Sequence, residues 1–148
     1  MTSKRLATVA RVLLGLMFIA GSLATAFHLV PEPVLPPRAG AFMRALAESG
    51  YMLPLLWSSE IGAGILVLSP VLTLLGLVLL APILLNIAAS HLCLAPANAA
   101  PAMVASALEL LLAGRYRAAY APLFRNLRVA AIPSEEIVHT ARRVQYET

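Results

Sequence analysis

Sixty residues separate Glu48 from Glu109, and Glu60 is the only charged side chain among them. A soluble domain carries charge on about a quarter of its residues, and no water-soluble fold of this size hides such a stretch. The whole chain of 148 residues is 60% apolar and 12% charged, which excludes a disordered polymer. An integral membrane protein is the class that remains. The net charge of +4 is no nucleic-acid signal, because the eleven basic residues lie almost entirely at the two ends. Cys93, the single cysteine, excludes an internal disulfide and CxxC redox or zinc motifs.

A spanning helix needs about twenty mostly apolar residues. The first run, Val12 to Val30, follows Lys4, Arg5 and Arg11 and is stopped by Pro31-Glu32-Pro33, with Pro36-Pro37 beyond. A second opens at Leu53-Pro54, with proline where a helix start has no use for its N–H, and reaches Leu68. Ser69-Pro70 interrupt it, and a third run continues from Val71 to Leu94. A fourth starts at Pro101 and extends toward Tyr120 if Arg115 and Arg117 snorkel. One helix over 54–94 would measure about 60 Å, twice the hydrocarbon thickness, so Ser69-Pro70 must form a hairpin. The expected architecture is all-α: a four-helix membrane bundle over 1–125 (spans 12–30, 53–68, 71–94 and 101–120), followed by a cytoplasmic tail, 126–148.

Basic residues set the direction. Lys4, Arg5 and Arg11 precede span one, and Arg115, Arg117, Arg125, Arg128, Arg142 and Arg143 follow span four. Only Arg38 and Arg44 sit in the loop between spans one and two. The positive-inside rule then places both termini in the cytoplasm of a multi-pass inner-membrane protein. Lys4-Arg5, an apolar run and Ala24-Thr25-Ala26 imitate a signal peptide. The run carries on past Ala26, however, and cleavage would leave three spans, so an uncleaved first span is expected.

Arg38 to Ser49, closed by Gly50, mixes Phe42, Met43, Ala45 and Leu46 with Arg44 and Glu48. It reads as a short amphipathic helix in the first outer loop, on the membrane interface or capping the bundle. Pro133-Ser134-Glu135-Glu136 followed by Arg142-Arg143 suits a short tail helix with a serine N-cap.

Polar groups inside a span are costly and mark candidate functional sites. Glu60, Asn86, His91 and Glu109 stand out, with His28 near the end of span one. At the helical rise, Glu60 lies about 10 Å, Asn86 and Glu109 about 12 Å, and His91 about 5 Å below the outer surface, with His28 similarly shallow. Three helices thus carry a carboxylate, an amide and a carboxylate at nearly one level, with two imidazoles above. Facing each other is cheaper than facing lipid. Pro82 frees the Val78 carbonyl one turn before Asn86. Gly62 and Gly64 beside Glu60, and Ala102, Ala105, Ser106 and Ala113 near Glu109, allow close helix approach. The competing reading is structural glue, one carboxyl donating a hydrogen bond to fix helix packing. A haem held by His28 and His91 has only matched depth in its favour. No metal-ligand cluster, nucleotide loop or catalytic triad is present, so a self-sufficient enzyme is not expected. Trp57, Tyr51, Tyr116 and Tyr120 fit an ordinary aromatic belt.

Several segments, in this order, resemble DoxX-like membrane proteins: Arg11-Val-Leu-Leu-Gly15-Leu-Met-Phe, Ala39-Gly40-Ala41-Phe42-Met43, Gly50-Tyr51-Met52-Leu53-Pro54-Leu55, Glu60-Ile-Gly-Ala-Gly64, Leu80-Ala-Pro82-Ile with Asn86-Ile87 and His91, and Ala118-Ala-Tyr120-Ala-Pro-Leu-Phe124. The likeness covers roughly residues 8–125. Thr25-Ala26-Phe27-His28 lacks the basic residue expected after the family's first span, and the Ser69-Pro70 turn carries no charge. The resemblance implies a four-helix membrane protein of a family named after a subunit of a quinone-reactive thiosulfate oxidoreductase. Glu60, Asn86, His91 and Glu109 match its polar positions.

The expected function is an accessory, redox-associated subunit whose outer polar pocket takes a quinone headgroup or another small polar molecule, with His91 as proton relay. Its partners would be the lipid bilayer and a catalytic oxidoreductase subunit, not nucleic acid, with a homo-oligomer left open. Two rivals are a non-catalytic assembly or interaction protein and a small proton-coupled transporter using Glu60.

Overall fold

The structure, a computed structural model, describes residues 2–31 and 34–120. All regular structure among them is helical: α1 (Thr2–Ala26), α2 (Pro37–Glu48), α3 (Met52–Leu68), α4 (Thr73–Leu94) and α5 (Ala100–Arg115), with one 3₁₀ turn at Pro96–Asn98 before α5. The compact unit that holds all five helices ends at Tyr116. The expected tail, 126–148, with its Ser134-capped helix, lies outside the described residues, as do Arg125 and Arg128.

Nothing between Thr2 and Ala26 breaks a helix: there is no proline, and the glycines are single. α1 therefore starts ten residues before the expected span and carries Lys4, Arg5 and Arg11 as part of the helix. Its end falls earlier than expected, at Ala26 rather than Val30, and not at the prolines. The Leu29 N–H bonds the Ala24 carbonyl at 2.8 Å and the His28 N–H bonds Thr25 at 3.2 Å. That is a Schellman cap, with His28 in the left-handed conformation at φ 52°. The first stretch long and apolar enough to span is therefore Lys4–Ala26, not the expected 12–30.

α2 covers the expected amphipathic segment and starts with Pro37 in its first turn. The next corner is built from Ser49 and Gly50. Ser49 Oγ donates to the Leu46 carbonyl at 2.6 Å and accepts the Met52 N–H at 3.1 Å, while Gly50 takes φ 75°. The chain turns through 94° there, from α2 into α3. Between α3 and α4, Ser69 is extended ahead of Pro70. Thr73, 1% exposed, ties the turn down with a hydroxyl bond to Ser69 O at 2.7 Å.

The four long helices pack in pairs: α1 against α3 and α5, and α4 against α3 and α5. Each turns one stripe inward: Ala10, Leu14, Phe18 and Ser22 on α1; Glu60, Ala63, Gly64 and Val67 on α3; Gly76, Leu77, Leu80 and Leu84 on α4; Ala102, Ala105, Glu109 and Leu112 on α5. At the α1–α3 crossing, a Cβ on Gly15 would stand 2.7 Å from Leu68 Cγ. At the α3–α4 crossing, a Cβ on Gly76 would stand 2.6 Å from the Val67 backbone nitrogen. Both crossings need glycine for close approach.

The outward side is as apolar as the inside. Leu85 and Leu110 are each 72% exposed, and Leu55 and Ile65 each 57%, which water would penalise and lipid would not. Two helical stretches, Lys4–Ala26 and Thr73–Leu94, are long and apolar enough to cross a membrane, and α2 with α3 makes a third if that bent pair counts as one. α3, at 17 residues, covers the expected span 53–68, whereas α5, at 16 residues, is shorter than the expected 101–120. α5 stops at Arg115 instead of running to Tyr120. The Tyr116 N–H still bonds Leu112 O at 2.9 Å, but the helix breaks there before residues 117–120 turn helical again.

Candidate functional site

Hydroxyls in apolar helices usually bond a carbonyl of their own helix, because nothing else is in reach. Thr8, Thr25, Ser58, Ser59 and Ser106 all bond the carbonyl four residues back. Ser22 does not. It lies on the buried stripe of α1, 3% exposed, and its Oγ donates to Glu60 Oε2 on α3 at 2.5 Å. A charge-capable acceptor paired with a hydroxyl is among the stronger hydrogen bonds available in a dry interior. Glu60 itself is 9% exposed, so this pair is sealed between the two helices.

Glu109 occupies the equivalent inward position on α5, where Ala102 and Ala105 above it and Leu112 below share its stripe. Its carboxyl is 7% exposed, and Oε2 is enclosed with no hydrogen-bond partner among the described residues. Native structures rarely leave such an atom unmatched. The lost bond costs about 1–3 kcal/mol, so Glu109 is a poor packing residue and an open acceptor.

Asn86 and His28 do not share the burial of these two carboxyls, and His91 does so only in part. Asn86 is exposed on α4, on the side away from the Leu77, Leu80 and Leu84 stripe. His91 is half-buried on the last turn of α4, and its Nδ1 donates to the Ile87 carbonyl at 2.9 Å, leaving Nε2 as the free ring nitrogen. His28 is exposed, and its left-handed backbone ends α1. Among the described residues no group of three His, Cys, Asp or Glu could hold a metal ion.

Beside Glu60, an open groove of about 460 Å³ runs between α3 and α4, lined by Ser59, Gly62, Ala63, Leu66, Leu79 and Ile83. Its one side-chain hydroxyl, on Ser59, is already committed to Leu55 O at 2.7 Å. The groove is therefore an apolar surface.

Ser22 escaped the sequence reading, although its place at four-residue steps after Leu14 and Phe18 put it on the inward face. A second buried polar atom was also missed: Arg11 Nε, on the same helix, is enclosed without a hydrogen-bond partner among the described residues. Comparison with protein-family models, curated proteins and solved structures gave no match.

Proposed function

We propose that this chain is a DoxX-like, redox-associated accessory subunit of the inner membrane: a four-helix bundle with both termini in the cytoplasm and a quinone-type headgroup as its ligand. The observation that carries the reading is the unmatched, buried Oε2 of Glu109. A quinol presents hydroxyl donors on a flat apolar ring, the chemical complement of an open acceptor in an apolar core. Glu60, braced by Ser22, supplies the second carboxyl, and the Nε2 of His91, whose Nδ1 is committed to Ile87, is the candidate for passing a proton outward. Asn86, being exposed, is left out of this ligand set.

Support for four spans comes from packing. α3 at 17 residues and α5 at 16 measure about 26 and 24 Å. Each packs against both α1 and α4, the two helices long enough to cross alone, and so shares their slab. The excess of basic residues at the two chain ends supports cytoplasmic termini.

The test is to purify the protein with its native lipids, extract bound quinone, and compare Glu109→Gln and Glu60→Gln. Bound quinone is expected in the native protein, with loss in Glu109→Gln. No quinone in the native preparation, with unchanged quinone-linked activity of Glu60→Gln membranes, overturns the reading. A non-catalytic assembly role is favoured by one observation, the closed Ser22–Glu60 bond. On that reading both substitutions lower stability in detergent and change no binding.

A further inference from the structure

α4 is one of the two helical stretches that cross a membrane by length and composition alone. Asn86 sits thirteen residues from its start and eight from its end, about 20 and 12 Å along the axis. That position is well inside a hydrocarbon slab about 30 Å thick. The side chain nevertheless points away from the protein's own core. An amide facing lipid has nothing to bond, so exposed polar groups at this depth are read as seats for another helix.

The surroundings of Asn86 have the spacing of such a seat. Leu75, Leu79, Pro82, Asn86, Ala89 and Cys93 follow one another at alternating steps of four and three, and all six are exposed. This is a heptad stripe, with a single asparagine at a core position and small residues in the turns beyond it. The inward stripe of α4 is already satisfied by α3 and α5, so the outward one is a second packing face. It runs along the open groove, since Leu79 belongs to both and Ile83 stands one turn from Asn86 on the groove side. Gly62, in the groove wall, would meet nothing within 4 Å if it carried a Cβ.

We infer that the occupant is a second copy of this chain, α4 against α4 in parallel, with the two Asn86 amides bonded to each other across a twofold axis along the membrane normal. Identical chains insert the same way, so paired α4 helices run in parallel and put equal residues at equal depth. An asparagine amide is both donor and acceptor and thus complements its own copy. A lipid-soluble small molecule is the weaker occupant, because the groove offers it no free polar group. This interface is independent of Glu60 and Glu109, which face the other way.

The chain carries its own probe. Cys93 is its single cysteine, is exposed, and lies one heptad after Asn86. In the paired state the two Cys93 Cα atoms fall within the roughly 7 Å that a disulfide spans. Mild oxidation of the full chain in lipid vesicles at low protein density should give a reducible dimer. Asn86→Leu should lower dimer formation about tenfold, while Leu92→Cys in a Cys93→Ser background, about 100° round the helix, should not cross-link. A native chain that stays monomeric overturns the inference, as does cross-linking equal in Asn86→Leu or in the Leu92→Cys control. A monomer that carries an extractable lipid-soluble molecule, lost in Asn86→Leu, overturns it in favour of a small ligand.

Discussion

Gly15 on α1 and Gly64 on α3 meet backbone to backbone: a Cβ on either would stand 3.0 Å from the carbonyl oxygen of the other. The reciprocal contact lies seven residues along α1 from Ser22 and four along α3 from Glu60. It therefore sets the helix separation over which the Ser22 hydroxyl reaches its partner.

Gly15→Ala should destabilise the fold by about 1–3 kcal/mol, because Leu68 and the α3 backbone must both give way. Gly76→Ala should cost more than that, since its nearest obstacle is the Val67 main chain at 2.6 Å. Gly21 and Gly114 have open space around them, so alanine there should raise stability by up to about 1 kcal/mol. Unfolding of the four variants in mixed micelles ranks them.

Ser22→Ala removes the one donor to Glu60 Oε2 among the described residues and should cost about 1–3 kcal/mol, the penalty of a buried acceptor left bare. Ser22→Ala with Glu60→Leu should recover much of that loss, giving a coupling energy of about 0.5–3 kcal/mol in a double-mutant cycle. Additive effects would show that the two side chains do not interact.

Glu109→Leu should move the other way. Replacing an unmatched buried acceptor by a shape-compatible apolar side chain raises stability by about 1–3 kcal/mol, and on the proposed reading it abolishes quinone binding. A rise in thermal stability together with loss of ligand separates a functional carboxyl from a packing one. A fall in stability would assign Glu109 to the architecture.

His28→Val should be about 1–2 kcal/mol less stable than His28→Gly, because only the left-handed conformation closes the cap on α1. Amide exchange at Leu29 and His28, whose N–H groups close that cap, reports the fraying directly.

The helices and the Ser69-Pro70 turn were legible in the sequence because apolar runs, prolines and charge placement carry that information. Glu60 and Glu109 were legible too, since a lone carboxyl in an apolar run has few tolerable places. The direction of Asn86 was not. In a water-soluble helix, polar residues mark the outer face, but α4 is apolar all round, so its sequence holds no periodic cue to which side meets protein. Ser22 was obscured for the same reason, small and polar among residues equally suited to lipid or core. The end of α1 was missed because the C′ position usually announces itself as glycine, and here it is histidine.

The right-angled corner at Ser49-Gly50 has a consequence for bilayer thickness. On the proposed four-span arrangement, a helix held at 94° to α3 does not follow it into the hydrocarbon, so α2 would pin the start of α3 at one surface. α3 then offers only about 26 Å of rise before Ser69-Pro70. Any mismatch with the surrounding lipid falls on the far side, where the membrane thins to meet that turn or the bundle tilts. On that four-span arrangement, the corner would make this protein a gauge that favours thin membranes.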